Sequence, residues 1–145
     1  MEISIVDSYP QLYQCLAIRN KVFVEEQGVP VELEIDEYDA SPESCGHVLL
    51  KYAGAPAGTG RWISYTEQTA KIQRLAVLAE FRGKGVGKKL LQELENQARI
   101  AGYQQCILDG QCHAESFYSQ LGYITISEQP FMDAGIIHVR MQKML

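Results

Sequence analysis

The sequence predicts an α/β fold in which one mixed β-sheet carries helices on its faces. Short segments of alternating apolar residues predict strands, and two longer segments have apolar residues at helical spacing. Segments 71–78 and 105–108 flank one of these helices, and such a crossover predicts two parallel central strands. If these strands splay at their C-terminal ends, a ligand can enter there, at the N-terminus of the helix. The order β-α-β-β-β-α-β-α-β-β then forms one domain over residues 1–145, enough to bury a core.

The N-terminal part predicts a strand followed by a helix. Residues 2–6 alternate apolar and polar side chains, as in a short strand. Ser8 is suited to cap the helix, and Pro10 suits its first turn. Gly28 then ends it. The helical spacing is carried by Leu12, Cys15, Leu16, Ile18, Val22 and Phe23.

Acidic residues are concentrated in one connection. The net charge of −5 argues against a nucleic-acid-binding protein. Eight of the 18 acidic residues lie between Glu25 and Glu43 with no Lys or Arg among them, whereas the basic residues cluster at 82–89. We predict an irregular connection over residues 29–45. It is either a solvated acidic loop or a region that attracts a cationic ligand.

The middle of the chain predicts three consecutive strands. Residues 47–52 and 57–65 flank a turn, and Gly58 and Gly60 leave room for a close neighbour. In segment 71–78 strict alternation fails, and one extra residue, a β-bulge, would restore a common apolar face. Such a bulge leaves backbone groups unpaired and available to a ligand.

The C-terminal half predicts a helix, a buried strand, a short helix and two closing strands. Leu90, Leu91, Leu94, Ala98 and Ala101 share one helical face. Glu95 and Arg99 are predicted to pair on the opposite face, and Gly102 ends the helix. The later elements are a strand at 105–108, a helix at 113–121 and strands at 123–127 and 136–144.

A glycine-rich loop precedes the second long helix. Gly83, Gly85 and Gly87 alternate with Lys84, Val86 and Lys88, and Arg82 precedes them. Glycines let backbone N–H groups approach a ligand, and the first turn of a helix has N–H groups without internal partners. The loop therefore predicts a phosphate or diphosphate site, although a helix entry with solvated lysines is the structural alternative. The dinucleotide fingerprint and the P-loop pattern both fail at Lys88.

Composition limits the remaining functions. No apolar run is long enough to span a membrane, and the N-terminus lacks the basic start of a secretory signal. The four cysteines form no CxxC pair, and no His lies at zinc-ligand spacing, so we expect no metal site. Reduced, buried thiols are typical of a cytoplasmic protein.

Two motifs together resemble the GCN5-related N-acetyltransferase (GNAT) family. The pattern Arg-x-x-Gly-x-Gly at 82–87 resembles the family's diphosphate loop, and segment 114–123 resembles its A-x-x-F-Y-x-x-x-G-[FY] motif. Similarity to the ElaA-like branch is found in segments 18–27, 34–37 and 132–138. The resemblance covers nearly the whole chain and implies a single GNAT domain.

The resemblance implies acetyl-CoA as cosubstrate and Tyr118 as the general acid that protonates the leaving thiolate. A phenol can protonate a thiolate with little penalty once it is positioned. The backbone of Leu75, Ala76 and Val77 would pair with the pantetheine arm. The implied cofactor-binding residues are completed by Phe117 and by Arg82, Gly83, Lys84, Gly85, Val86, Gly87 and Lys88. The candidate residues for the acceptor are Arg19, Phe23, Glu26, Asp36, Arg61 and His138.

The general base stays open at the level of sequence. The carboxylate candidates for the base are Asp36, Glu37 and Glu26. His138 and His113 are further candidates, because the usual pKa of histidine is closer to neutral. A water relay is a further alternative. A covalent route through Cys112 is the least favoured, because direct transfer is the family's usual chemistry.

The sequence therefore predicts an N-acetyltransferase that acts on a small cationic amine or a peptide amine. The alternatives are an acyl-CoA sensor or inactive family relative and a nucleotide-phosphate binder. No nucleic-acid or membrane partner is expected. The resemblance also admits a homodimer in which residues 136–145 supply an interface strand.

Overall fold

The computed structural model describes residues 1–145. Four α-helices are present: α1 Tyr9–Arg19, α2 Val31–Glu34, α3 Val86–Ile100 and α4 Glu115–Gln120. Eight strands form one sheet: β1 Glu2–Ile5, β2 Gly46–Tyr52, β3 Ala55–Ser64, β4 Thr69–Val77, β5 Gln105–Gln111, β6 Ile124–Thr125, β7 Phe131–Asp133 and β8 Ile136–Met144. No helix is long and apolar enough to cross a lipid bilayer.

The sheet is antiparallel except at its centre, where β4 and β5 run parallel. The strand order is β1-β2-β3-β4-β5-β8-β6, with β7 also beside β8. The parallel pairing begins at Thr69 opposite Gln105 and stops after Ile72 opposite Leu108. Both strands continue beyond that point without bonding to each other. The predicted parallel pair and its splay are confirmed, and the resulting gap forms the main cleft of the molecule.

Helices cover both faces of this sheet and produce two cores. On one face α3 buries an apolar stripe against the central strands, with Leu90, Leu91, Leu94, Leu108, Val139 and Met141 in the same cluster. On the other face α1 packs Leu12, Cys15, Ile18 and Val22 against Leu49 and Ala76. The central strands are therefore packed on both faces of the sheet.

The first helix changes its winding where it reaches the cleft. The hydroxyl of Ser8 caps α1 by accepting a hydrogen bond from the N–H of Gln11 at 3.4 Å. After Arg19 the chain continues as a π-helical segment, Asn20–Glu26, and ends at Gly28, where φ is +73°. Such segments are frequent at functional sites because their wider turn redirects side chains.

The acidic connection is more ordered than predicted. The prediction of an irregular connection over residues 29–45 is wrong, because α2 and a 3₁₀ turn, Glu37–Asp39, occupy its middle. The carboxylate of Asp36 caps the 3₁₀ turn by accepting from the N–H of Tyr38 at 3.1 Å. The sequence-based analysis missed these short turns because four-residue helices have no readable apolar period.

A β-bulge lies in β4, as predicted. The register of β3 against β4 shifts between Thr59 and Arg61, where Arg74 and Leu75 of β4 face one residue of β3. Arg74 has a φ of +57°, a left-handed conformation that costs a non-glycine residue roughly 1–2 kcal/mol. The bulge lies beside the splay and turns this part of β4 toward the cleft.

Two glycines of β3 provide the predicted close approach. A Cβ on Gly58 would lie 2.7 Å from Cδ1 of Leu90, and one on Gly60 would lie 2.7 Å from Cδ1 of Leu94. Neither distance is tolerated between carbon atoms. The absence of side chains at these positions lets α3 lie close to the sheet and fixes where its N-terminus meets the cleft.

Two predictions about α3 are wrong. Glu95 does not pair with Arg99 on an exposed face; it is 3% exposed and accepts hydrogen bonds from the hydroxyl of Tyr123 at 2.7 Å and from Nζ of Lys143 at 3.0 Å. Ala101 lies beyond the helix and is exposed. Glu95 is buried because its partners, Tyr123 and Lys143, are distant in sequence. Ala101 is exposed because the helix ends at Ile100.

The C-terminal strands also differ from the prediction. The sequence-based analysis missed β7, which forms a hairpin with β8 through Ala134 and Gly135, both with positive φ. β8 pairs with β5 on one edge and with β6 and β7 on the other. Much of β8 therefore already has strand partners on both edges, and the role of residues 136–145 in a homodimer stays a prediction.

Candidate functional site

The gap between β4 and β5 opens into a cleft of about 490 Å³. Its walls come from β4, β5, the π-helical segment after α1, the start of α4 and the β7–β8 turn. Among the predicted site residues, those lining the cleft are Phe23, Glu26, Leu75, Ala76, Val77, Arg82, Tyr118 and His138. The splay thus gathers residues from distant parts of the chain around one space.

The glycine-rich loop lies between β4 and α3, at the mouth of this cleft. Gly83 and Gly85 have φ values of +74° and +81°, and no atom lies within 4 Å of where their Cβ atoms would be. The backbone N–H groups of residues 83–88 donate no hydrogen bond within the protein, and internal bonding of the helix starts at Lys89, whose N–H donates to the Gly85 carbonyl. This row of unpaired donors at a helix N-terminus is suited to bind an anion.

Arg82 is held in an ion pair beside this loop. Its Nη2 donates to both carboxylate oxygens of Glu26, at 3.1 and 2.9 Å, and its Nε donates to the carbonyl of Val77 at 3.0 Å. The pair joins the π-helical segment to the end of β4 across the cleft. Both side chains are exposed, so an incoming anion can compete with Glu26 for the guanidinium.

Two aromatic residues of α4 lie next to the loop and the gap. A Cβ on Gly87 would lie 3.3 Å from Cζ of Phe117, and one on Gly110 of β5 would lie 3.0 Å from the ring of Tyr118. The hydroxyl of Tyr118 makes no hydrogen bond within the protein and is not sealed from solvent, so it is available in the cleft. Burial of the phenol raises the pKa of Tyr118 to about 12 and keeps it protonated at neutral pH.

A buried ionic cluster lies next to the cleft, between α1, the acidic connection and the sheet. Nη1 of Arg19, which is 1% exposed, lies 2.6 Å from the carboxylate of Asp39, and its Nε lies 2.7 Å from Glu34. Burial alone would raise the pKa of Asp39, but the hydrogen bonds and charge of Arg19 outweigh it and hold that pKa well below its usual range. The carboxylate of Asp39 therefore remains charged throughout the physiological range.

Arg61 and Arg74 complete the cluster. The two Nη atoms of Arg61 lie 2.8 and 2.7 Å from the two carboxylate oxygens of Asp36, and its Nη1 also lies 2.9 Å from Asp39. Arg74 donates from Nε to the carbonyl of Glu34 at 3.2 Å, which joins the bulge of β4 to α2. Three arginines and three carboxylates thus balance each other.

This cluster changes the interpretation of the acidic connection. Arg19, Asp36 and Arg61 do not line the cleft; they hold the acidic connection against the sheet. The connection is therefore neither a solvated loop nor an open cation site at these positions, because buried arginines already neutralise its carboxylates. Arg19 and Arg61 are too distant in sequence for this pairing to be read from spacing.

His138 is a buried histidine with a defined orientation. It is 8% exposed and lines the cleft from β8. Its Nδ1 lies 2.7 Å from the carbonyl of Ile136, and its ring stacks on Phe131 at a centroid distance of 6.2 Å. Because a carbonyl can only accept, Nδ1 carries the proton and Nε2 retains a lone pair in the neutral ring.

The cleft contains further polar residues that the sequence-based analysis did not single out. Asp109 of β5 accepts from Nε of Arg140 at 2.8 Å and lies 3.2 Å from Nζ of Lys71. Gln111 of β5 and Gln27 exchange side-chain hydrogen bonds, at 2.8 and 3.2 Å. The alternation of β5 was the available signal: Asp109 and Gln111 follow its apolar residues at the point where the strand leaves β4.

Comparison with known proteins identifies relatives over almost the whole chain. The family described as an acetyltransferase (GNAT) domain matches residues 22–145. The Bacillus subtilis protein YjcF, named as an uncharacterized N-acetyltransferase, is 38% identical over 143 residues, which covers 99% of this chain and 99% of the relative.

Solved structures share the fold. Escherichia coli ElaA superposes with a TM-score of 0.85 at 25% identity over 98% of each chain. An aminoglycoside 6′-N-acetyltransferase, solved in complex with coenzyme A, superposes with a TM-score of 0.75 at 16% identity over 99% of this chain and 97% of that one. The second likeness is evidence for the fold alone.

Proposed function

Because the chain belongs to the GNAT family of acetyltransferases and is thus an acyl-CoA N-acyltransferase, we propose that it moves an acetyl group from acetyl-CoA to a primary amine. The observation that carries the proposal is the row of unpaired N–H groups at residues 83–88, at the mouth of a cleft that also contains Tyr118. The acceptor is a small amine or a peptide amine.

The diphosphate of the cosubstrate binds the glycine-rich loop. Backbone donors without partners in the protein exchange water for phosphate oxygens, and hydrogen bonds to a charged group contribute about 1.5–3 kcal/mol each after that exchange. Phe117 packs beside Gly87 and limits how deeply the diphosphate can enter.

The pantetheine arm runs along the end of β4. Beyond Ile72 the edge of β4 that faces β5 has no strand partner, and the arm has amides that can pair with a strand edge. The backbone of Leu75, Ala76 and Val77 supplies these bonds and directs the thioester into the gap. The thioester then lies near Tyr118.

Tyr118 protonates the sulfur as the thiolate leaves. With a pKa of about 12 it is a weaker acid than a thiol of usual pKa, by about 3.5 units or roughly 5 kcal/mol. The same burial desolvates the leaving thiolate and raises its pKa too. The difference in pKa between the phenol and the thiol is therefore smaller inside the cleft. A protonated phenol also stabilises the developing charge by hydrogen bonding.

The test is thiol release from acetyl-CoA in the presence of a panel of primary amines. We expect release that saturates with at least one primary amine and is absent with its tertiary analogue, which cannot form a stable amide. Tight CoA binding without release for any amine would support the acyl-CoA sensor instead. Preferential binding of ATP over CoA would support the nucleotide-phosphate alternative.

The ion pair between Arg82 and Glu26 predicts an unusual gain of affinity. In the Glu26→Gln variant the guanidinium of Arg82 is freed from its carboxylate partner and binds the diphosphate without that competition. Because the pair is exposed and such pairs contribute at most about 1 kcal/mol, calorimetry should show CoA binding about two- to fivefold tighter. Glu25→Gln, at an exposed neighbouring site, should leave the affinity unchanged. Weaker binding in Glu26→Gln would contradict the arrangement.

We also propose a cytoplasmic location and leave the homodimer as a proposal. All four cysteines are free thiols, and burial raises the pKa of Cys106 to about 12, which makes that thiol unreactive. This supports the predicted cytoplasmic location. A homodimer in which residues 136–145 supply an interface strand is a further part of the proposal.

A further inference from the structure

The histidine of β8 has the features of a base that faces the acceptor. The donation from Nδ1 of His138 to the Ile136 carbonyl fixes the tautomer, and stacking on Phe131 fixes the ring plane. Its Nε2 has no hydrogen-bond partner in the protein and is not sealed from solvent. A buried imidazole with a lone pair toward a cleft can accept a proton at neutral pH.

The carboxylates that line the same cleft are already engaged. Glu26 is bound by Arg82, Glu34 lies 2.7 Å from Nε of Arg19, and Asp109 is bound by Arg140. Asp133 is exposed at the β7–β8 turn. Asp36 and Glu37, candidates from sequence, do not line the cleft. No buried carboxylate of the cleft is therefore left to remove a proton. Glu26, which an incoming diphosphate releases from Arg82, is an exposed side chain.

His138 and Tyr118 approach the gap from opposite faces of the sheet. Tyr118 packs on the side of Gly110 where a Cβ would lie, and it belongs to the core on the α3 face. The next residue, Gln111, points to the other face, where it bonds Gln27, and His138 is its partner in β8. Tyr118 and His138 thus lie on opposite faces of the sheet but beside adjacent residues of β5, so both can reach a thioester in the gap.

Building on the proposed function, we propose that Nε2 of His138 is the general base of the transfer. The amine nitrogen attacks the thioester carbon, a C–N bond forms, and the proton released by that nitrogen passes to Nε2. The C–S bond then breaks and the sulfur takes the proton of Tyr118. The imidazolium returns its proton through solvent and the phenol is reprotonated, so the products are the amide and free CoA thiol.

The pH response depends on the groups around this histidine. The titratable and charged side chains that share its cleft are Glu26, Glu34, Lys71, Arg74, Arg82, Asp109, His113, Tyr118 and Asp133. Burial opposes ionisation of Asp109, but the hydrogen bond from Arg140 and the charge of Lys71 outweigh it and hold the pKa of that carboxyl below its usual range. A pH dependence that is lost in a His138 variant and kept in a His113 variant therefore reports His138.

The test compares His138→Asn with His113→Asn. The amide nitrogen of asparagine can replace the bond from Nδ1 to the Ile136 carbonyl, while the lone pair of Nε2 is lost. We expect kcat/KM for the amine to fall about 100-fold or more at pH 7, its dependence on pH between 5.5 and 7.5 to disappear, and added imidazole to restore part of the rate. CoA affinity should stay within about twofold.

His113→Asn should keep the wild-type profile, because this exposed side chain donates from Nε2 to Gln111 at 2.6 Å. A His138→Asn enzyme within about threefold of wild type and with the same profile would overturn the assignment, as would a loss confined to His113→Asn. Both outcomes leave the transferase proposal intact. A wild-type protein that binds CoA but is inactive toward every amine contradicts that proposal, and the base assignment falls with it.

Discussion

Replacing Tyr118 by Phe should lower kcat about 100-fold or more while leaving the dissociation constant of CoA within about twofold. The phenol donates to sulfur only as the C–S bond breaks, so its loss raises the barrier by about 2.7 kcal/mol or more without weakening cosubstrate binding. Steady-state kinetics and calorimetry on the same preparation measure both quantities. Since the ring is retained, its packing against Gly110 is preserved.

Tyr13→Phe is the matched control. It removes the same hydroxyl group from a side chain that is 60% exposed on α1 and does not line the cleft. The pH profile gives a second readout. Because burial raises the pKa of Tyr118 to about 12, the wild-type enzyme should lose no activity to tyrosine ionisation between pH 8 and about 10.5. A Tyr118→Phe rate within threefold of wild type would exclude the phenol as general acid.

Replacing Asp39 by Ala should lower the free energy of unfolding by about 3–5 kcal/mol, and the Tm by roughly 10 °C or more. The substitution leaves two buried guanidinium groups, those of Arg19 and Arg61, without the carboxylate that both contact. Chemical denaturation followed by circular dichroism measures the change. Asp7→Ala is the control, since Asp7 is exposed and its carboxylate forms no ion pair. Equal stability of the two variants would refute a structural role for the cluster.

The same buried groups predict how stability depends on pH. The lowered pKa of Asp39 means that its contribution is complete above about pH 4, the usual unfolded value, and is lost as pH falls further. Burial lowers the pKa of His47, so the unfolded chain gains a proton first and stability declines below about pH 6.5. Burial raises the pKa of Cys106 to about 12, so stability also declines above about pH 8.5. We expect a maximum between pH 7 and 8.5.

Local patterns in the sequence were sufficient for the elements that build the cleft. The failure of alternation in β4 predicted its bulge, the crossover predicted the parallel pair with β5, and the glycines of β3 predicted room for a close neighbour, which is α3. Each of these features was indicated by a local pattern of residues, even where the contact itself joins distant segments. Hydrophobic spacing and glycine positions therefore carry most of the information about where the cleft lies.

Long-range ion pairs were not predictable in the same way. Arg19 contacts Asp39 twenty residues later, and Arg61 contacts Asp36 across 25 residues. In sequence both arginines were candidates to contact the acceptor, because charge alone does not distinguish a buried partner from a ligand. Glu95 was misplaced for the same reason, since Lys143 lies 48 residues away.

The central claim is that backbone amides of residues 83–88 bind the diphosphate of the cosubstrate, and calorimetric titration with CoA and with pantetheine tests it most directly. Pantetheine keeps the thiol and the arm that would lie along β4 but lacks the diphosphate and the adenosine 3′-phosphate attached to it. We predict that CoA binds at least 100-fold more tightly, as expected for several hydrogen bonds to a charged group. Equal affinity for the two compounds, or no binding of CoA, would contradict the account.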